Sequence, residues 1–306
     1  MNFTNINKCI ICESDNLLNI YTTTDRHYGI KGEYKISKCQ NCGLVFLNPM
    51  PTEEYLTSLY PVTYYSYLGF YPKKESFIKH FFKNALLNKK TLDPKFEHPG
   101  KILDIGCGSG KFLFEMKKKG WEVYGVEVNE SAAKLGNELE NLNIHCGNLL
   151  TSKFPSNSFD YIRSNHSFEH MMNPIEVLNE IHRIIKPDGK LMIGVPNIDS
   201  FNARVFKKYW WYLGAPAHTF NYSVSTLSQI LNKTGFKVEK ISYNGDFGGT
   251  LGSIQIFFNR KTGQMSDKGF FIRNPILLIL FNQLAKILNL LKQGDAIEII
   301  STKVTI

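Results

Sequence analysis

Two constellations in this sequence have residue types and spacings that can do chemistry. Cys9 and Cys12 form one C-x-x-C pair and Cys39 and Cys42 a second, with 26 residues between the pairs. Each pair can point two thiolates at one ion, and two pairs complete a tetrahedral four-thiolate zinc shell. A closed shell leaves no open position for a substrate, so a structural role is expected; two disulfides are the alternative use. Stretches such as "EYKISKC" between the pairs suit short strands, and Gly43 follows the second pair where a positive-φ turn is common. The second constellation is "SNHSFEH", which places His166, Glu169 and His170 in the pattern H-x-x-E-H. On a continuous helix that pattern can hold a catalytic zinc ion. Asn173-Pro174 follows soon after, however, and the residue before a proline is biased away from helix. A single turn is expected there, and a zinc peptidase is not.

A third stretch, "KILDIGCGSGKFLFEMKKKGWEVYGVEVNESAA", carries a different signal. Lys101 to Ile105 reads as a buried strand, Gly106, Gly108 and Gly110 as a tight turn, and Lys111 to Lys119 as a helix. Glycines let backbone approach a ligand without Cβ interference. A second strand, "EVYGVEV", places Glu127 17 residues past Gly110, where a carboxylate can accept hydrogen bonds from ribose hydroxyls. The turn reads D-x-G-x-G-x-G, with Asp104 ahead of the first glycine, instead of the dinucleotide fingerprint G-x-G-x-x-G. An acidic residue at the strand end suits a cationic cofactor better than a pyrophosphate, which wants the helix N-terminus clear.

On these residues the sequence resembles the class I S-adenosylmethionine (SAM) methyltransferases. Asp104, Gly106, Gly108 and Gly110 match the family's first motif and Glu127 the acidic end of its second strand. "GNLLTSKFPSNSFDYIRSNHSFEH" is similar to the later motifs, with Gly147-Asn148 where most relatives have Gly-Asp. "PIEVLNEIHRIIKPDGKLMIGVPN" looks like the following helix, turn and fifth strand, and "GDAIEIISTK" like the last, antiparallel strand. The resemblance implies an α/β fold with a Rossmann-like, doubly wound, mostly parallel seven-stranded sheet whose last strand is antiparallel. It implies SAM as cofactor, contacted by Asp104, Gly106, Cys107, Gly108, Gly110, Glu127, Val128, Asn148, Leu149 and Asn165. A zinc ribbon ahead of such a core resembles bacterial enzymes that methylate sugars in surface-polysaccharide or secondary-metabolite biosynthesis. O-methylation of a sugar or glycan is therefore expected. Sugar C-methylation, RNA 2′-O-methylation and a catalytically silent SAM-binding scaffold are the alternatives.

The histidines keep three readings within that frame. Glu169 and His170 can brace the loop. His166, just past the end of the fourth strand "FDYIRS", can remove a hydroxyl proton, since an imidazole titrates near operating pH. His166, Glu169 and His170 can also join His218 around a second divalent metal that acidifies the acceptor. The loop resembles the Glu-x-x-Glu-His segment of metal-dependent small-RNA 2′-O-methyltransferases and some quinone O-methyltransferases, with His166 in place of the first Glu. The candidate catalytic residues are thus His166, His170 and His218. Trp210, Trp211 and Tyr212 precede His218 and offer flat apolar surface for stacking a sugar, or core packing.

These readings require elements to position them. A zinc-ribbon module is expected over residues 1–50, a Tyr-rich linker and capping helix over 51–99, and the SAM-binding core over 100–306, with a substrate lid near 199–222 and a helical insertion near 260–293. At 306 residues, 43% of them hydrophobic and 13% aromatic, the chain can bury a large core and is no disordered protein. Its net charge of +9 allows an anionic partner, though a lysine-covered surface accounts for it as well. Leu277, Phe281, Leu284, Leu288 and Leu291 recur at helical spacing in an amphipathic segment broken by Asn282, Gln283, Lys286 and Asn289, too interrupted to span a membrane. Core or dimer packing, or peripheral contact with a membrane surface, are its expected uses. With no signal pattern at the N-terminus, the cytoplasm is the expected location. The expected partner is a small-molecule or glycan substrate, on a nucleotide or lipid carrier, and not nucleic acid.

Overall fold

A computed structural model of the protein describes residues 2–27, 29–58, 98–259 and 269–304. The tyrosine cluster from Tyr60 to Tyr71 and the helical pattern expected around Phe77 to Leu87 lie outside the described residues. At the N-terminus β1 (Phe3–Thr4) pairs with β5 (Met50–Pro51), while β2 (Leu17–Thr23), β3 (Tyr34–Cys39) and β4 (Val45–Leu47) form an antiparallel meander. α1 (Glu53–Ser58) follows. The core starts at β6 (Lys101–Ile105), α2 (Lys111–Lys118), β7 (Glu122–Glu127), α3 (Glu130–Glu140) and β8 (Asn143–Cys146), then β9 (Phe159–Asn165), α4 (Pro174–Ile184) and β10 (Ile185–Pro196). α5 (Phe201–Phe206), β11 (Phe220–Asn221), α6 (Val224–Lys233), β12 (Phe236–Tyr243), α7 (Phe247–Phe258), α8 (Phe270–Arg273), α9 (Pro275–Leu290) and β13 (Ala296–Lys303) complete it.

Seven strands form the main sheet in the order β12-β13-β10-β9-β6-β7-β8. β8, β7, β6, β9 and β10 are parallel neighbours, and β13 runs antiparallel to both β10 and β12. This is the mostly parallel sheet with an antiparallel last strand that the sequence predicts. Strands covered on both faces must be apolar throughout, and β6 buries Ile102, Leu103 and Ile105 accordingly. α4 starts on Pro174 at its first turn and buries Val177, Leu178, Ile181 and Ile184, a stripe at helical spacing. α3 is capped by the Asn129 side chain, which accepts from Ala132 N at 2.9 Å. The strand order reverses between β6 and β9, so a crevice opens beyond their carboxyl ends, where such sheets bind ligands.

The N-terminal module is fused to this core. β11, contributed from beyond β10, pairs with β4 (Phe220 with Phe46, Asn221 with Val45) and becomes the fourth strand of the N-terminal sheet. Cys9, Cys39 and Phe46 share one continuous apolar cluster with Leu103, Ile105, Phe168 and Leu227. Tyr34, Ile36, Val45 and Leu47 pack against Ala203, Trp210, Leu213 and Ala215 from the segment 199–222. Trp210 is therefore a core residue, 2% exposed, and its indole Nε1 donates to Asp295 Oδ1 at 2.8 Å. Of its two expected uses, stacking a sugar and core packing, Trp210 shows the second: the indole lies between the N-terminal sheet and Asp295. The Trp211 indole lies against Gly252 on α7, where a Cβ would fall 2.2 Å from its Cε3, and His27 packs edge-on against its ring.

α9 also differs from its prediction. Leu288 is buried and Leu277, Phe281 and Leu284 are half-buried, but Leu291 lies beyond the helix and is exposed. Ile276, Leu280, Ile287 and Leu290 leave an apolar outer face in solvent. No helix among the described residues is long and apolar enough to cross a membrane.

Asp295, 2% exposed, ties these parts together by also accepting from Ser200 Oγ (2.8 Å) and Asn202 Nδ2 (2.6 Å). Asp295→Ala strands three buried donors at once. We expect it to lower the unfolding free energy by about 3 kcal/mol in urea denaturation; a loss under about 1 kcal/mol would show the network to be dispensable.

Candidate functional site

The carboxyl ends of β6, β7 and β9 form one wall of a cleft of about 210 Å³ that opens to solvent. The glycine turn is shaped by backbone geometry that side chains rarely adopt: φ is 74° at Gly106, 57° at Gly108 and 83° at Gly110. A Cβ on Gly106 would fall 2.4 Å from Ser167 Cβ, a clash that keeps this position bare. Ser167 is itself pinned, donating to Ile105 O at 2.6 Å.

Glu127 ends β7, is 6% exposed and lines the cleft. Its Oε2 accepts from Gly108 N and its Oε1 from Asn129 N, both at 2.8 Å. Burial pushes its carboxyl up, while the N–H groups of Asn129 and Gly108 stabilise the anion. Each oxygen retains a further lone pair, so the carboxylate can fix the turn and still accept from a ribose. A bare glycine backbone beside such a carboxylate fits SAM. Gly106, Gly108, Val128, Asn148 and Leu149 line the cleft with Glu127. Asn148 Nδ2 donates to Glu53 Oε1 at 3.1 Å.

Four expected contacts are placed elsewhere. Asp104 is buried beneath the turn, where Arg163 Nη1 donates to both its oxygens at 3.2 and 3.0 Å. Burial raises its carboxyl and Arg163 opposes the rise. The Arg163 guanidinium in turn lies over Phe112, 4.0 Å from the ring centroid. Cys107 points under the turn towards Gly125, Gly110 starts α2 against Leu142 and Ile144, and Asn165 lies across Gly194 on β10. Glu53, Leu56, Met171, Met172 and Val177 line the cleft unannounced by any motif, and Ser167 lines it from within the histidine loop. The aliphatic ones look like ordinary core residues, and Glu53 comes from outside the core segment.

At the mouth, His166 leaves β9 with φ at 54°, a strained conformation for a non-glycine residue and of a kind that clusters at functional sites. His166 and His170 line the cleft. Phe168–His170 is one 3-10 turn and His166 precedes it, so H-x-x-E-H does not lie on a continuous helix. Glu169, 1% exposed, faces His166 Nδ1 at 3.7 Å. Burial pushes the Glu169 carboxyl up, but the contact with His166 and the facing imidazoles outweigh it and hold it down at about 2. His218 is outside the cleft lining and packs edge-on against His170, ring centroids 4.7 Å apart. Burial lowers His218 to about 3 and keeps it neutral. No residue of 199–222 lines the cleft among those described.

The four cysteines converge as a separate site. Cys9 Sγ lies 3.4 Å from Cys42 Sγ and Cys12 Sγ 3.5 Å from Cys39 Sγ, with all four thiols free. Glu13 (φ 60°) and Gly43 (φ 87°) make the same left-handed step after each pair. Burial raises the thiols of Cys9 and Cys42, and Cys12 is lowered to about 6 because hydrogen bonds, led by Asn41, outweigh its burial. Four sulfurs this close fit one thiophilic ion such as zinc.

The strand order and the glycine cleft are those of a Rossmann-like methyltransferase fold. The methyltransferase-domain family model matches residues 77–241, and the chain belongs to that family. It is 32% identical over 124 residues to a demethylmenaquinone methyltransferase of Listeria welshimeri, covering 37% of this chain and 52% of that one. A Geobacillus protein of the same name is 30% identical over 101 residues, 30% of this chain and 43% of its own. The chain thus spans about half the length of the curated relatives it matches. Among solved structures, a SAM-dependent methyltransferase of Archaeoglobus fulgidus has 21% identity and a TM-score of 0.49, covering 74% of this chain and 100% of that one. A chain from a Haloferax volcanii complex that contains a Trm112 methyltransferase activator has 16% identity and a TM-score of 0.50, over 74% and 90%.

Glu127→Ala is expected to weaken SAM binding at least tenfold by calorimetry, the loss of charge-assisted hydrogen bonds; unchanged affinity would remove Glu127 from the binding site. Stripping metal from the cysteines with a chelator should lower the melting temperature by at least about 10 °C. An unchanged melting curve, or no zinc in the untreated protein, would rule out a structural zinc.

Proposed function

We propose that the protein transfers a methyl group from SAM to a hydroxyl oxygen of a small-molecule acceptor, a sugar or glycan unit, with His166 as general base. The observation that carries this reading is the position of His166: a strained imidazole at the mouth of the cleft that Gly106 and Glu127 also line. Bound SAM supplies an electrophilic methyl on a sulfonium, whose C–S electron pair stays on sulfur as the acceptor oxygen takes the carbon. His166 accepts the hydroxyl proton, and the Glu169 carboxylate beside its Nδ1 stabilises the imidazolium. Gly106, Gly108 and Glu127 hold the donor, and much of the acceleration comes from bringing methyl and nucleophile to near-attack distance. The sugar acceptor is supported by the layout of a cysteine-bearing module ahead of the core. A quinone-type ring is the second reading, favoured by the named relatives and by Leu56, Met171, Met172 and Val177 in the cleft lining.

His166→Ala should lower turnover at least 100-fold while SAM affinity stays within about threefold; a full-rate variant removes His166 from the chemistry. Incubation with methyl-labelled SAM and fractionated cell extract tests the acceptor. Label in glycan or sugar supports the proposal, whereas label confined to quinone, lipid or RNA overturns that acceptor class.

A further inference from the structure

Past Glu127 the cleft lining continues with Val128, Asn148, Leu149 and Leu150, joined there by Glu53 and Leu56 of α1. A ribose held at Glu127 places its attached base in this part of the cleft. Val128 and Leu150 are open to solvent, 45% and 42% exposed, and a flat ring laid across them would remove that apolar surface from water. The rim is polar. Asn148 Oδ1 accepts from Thr151 N at 3.1 Å, and Asn148 Nδ2 donates to Glu53 Oε1 at 3.1 Å. A backbone N–H only donates, so the atom facing Thr151 is the oxygen and the orientation of the amide is fixed. Asn148 therefore uses its acceptor inside its own turn and presents N–H to its surroundings. Adenine carries an amine that donates beside ring nitrogens that accept. Asn148 can answer a ring nitrogen, but the amine needs an acceptor, and the carboxylate at hand is the one that Asn148 itself contacts.

We propose that Glu53, which lies ahead of the methyltransferase core, is the acidic acceptor that reads the amino group of the cofactor's adenine, with Asn148 as its positioning partner. The segment between the cysteine module and the core would thus supply part of the cofactor site and set the choice of base. The N-terminal fold holds Glu53 where this requires. Thr52 N donates to Asn2 O at 2.8 Å beside the pairing of β5 with β1, and Tyr55 N donates to Thr52 Oγ1 at 3.3 Å, which fixes the start of α1. Leu56, one turn on, is 6% exposed, and Met50 of β5 belongs to the same apolar cluster as Leu149. A carboxylate accepts at about four lone-pair sites, so the contact with Asn148 is compatible with a further donor. The inference rests on SAM as the cofactor, and it is independent of the acceptor and of His166.

The test is calorimetric titration of the full-length protein with S-adenosylhomocysteine and with S-inosylhomocysteine, whose base has an accepting oxygen in place of the amine. The wild type should prefer the adenine ligand by at least about tenfold. Glu53→Gln can turn a donor towards that oxygen, and its preference should fall to within about threefold. Adding Asn148→Asp to Glu53→Gln returns a carboxylate to the rim and should restore the preference. Glu53→Ala reads the same ratio should Glu53→Gln not fold, and the preference should fall there too. A purely structural role for Glu53 would weaken both ligands alike, and an unchanged ratio in the folded variants overturns the proposal. A wild type that binds both ligands equally overturns it as well. If the wild type binds neither, SAM as the cofactor fails and the proposal falls with it, an outcome distinct from binding without discrimination.

Discussion

The buried carboxylate of Glu127 is the constraint on which the rest of the cleft depends. An ionised group at 6% exposure is tolerated only if hydrogen bonds replace its water. The protein supplies two, from Gly108 in the glycine turn and from Asn129 at the start of α3. One side chain thereby sets the distance between the β6 turn and the end of β7, and it orients the first residues of the next helix. The turn can follow that path only because Gly106 and Gly108 take positive φ, and Gly106 has no room for a Cβ beside Ser167. Ser167 in turn belongs to the loop of His166, Glu169 and His170. Donor cleft and histidine mouth are therefore one construction, braced from beneath by the Asp104–Arg163 pair.

The N-terminal module plays a part that its sequence does not suggest. A four-cysteine unit ahead of a catalytic core reads as an appendage. Here it lends a sheet that accepts β11 as an edge strand, and its apolar residues merge with the main core. The consequence reaches the chemistry, because β11 follows directly on His218 and Thr219. Trp210 and Asp295 anchor the other side of the same segment against β13. A loop bounded by two fixed anchors can hold an imidazole against Glu169 and His170 at little further entropic cost.

Sequence alone determined the strands that flank the glycine turn, the turn itself, the cysteine pairs and the histidine loop; the seven-stranded sheet came with the family resemblance, and its strand order only with the structure. These are legible because each depends on a local rule: apolar runs for buried parallel strands, glycines where φ must be positive, C-x-x-C where two thiols share a turn, Asn-Pro where a helix cannot continue. Asp104 shows the limit of such rules. Its place before the glycines marks it as a ligand contact, yet the guanidinium that claims it arrives from β9, 59 residues on in the chain. Met171, Met172 and Val177 had no signal at all, since an apolar residue facing a cleft is indistinguishable in sequence from one facing a core.

What only the tertiary structure decided is which polar groups meet. His218 is 48 residues past His170, and nothing in either segment fixes their separation; the pairing of β11 with β4 and the anchoring of Trp210 on Asp295 bring the two rings together. The same packing buried both indole faces of Trp210. Local propensity and spacing dictate which elements form, because neighbours in the chain are always in contact. The partners of a buried charge or a histidine ring are set by long-range packing, and that is why the chemistry of this cleft is seen only once the chain has folded.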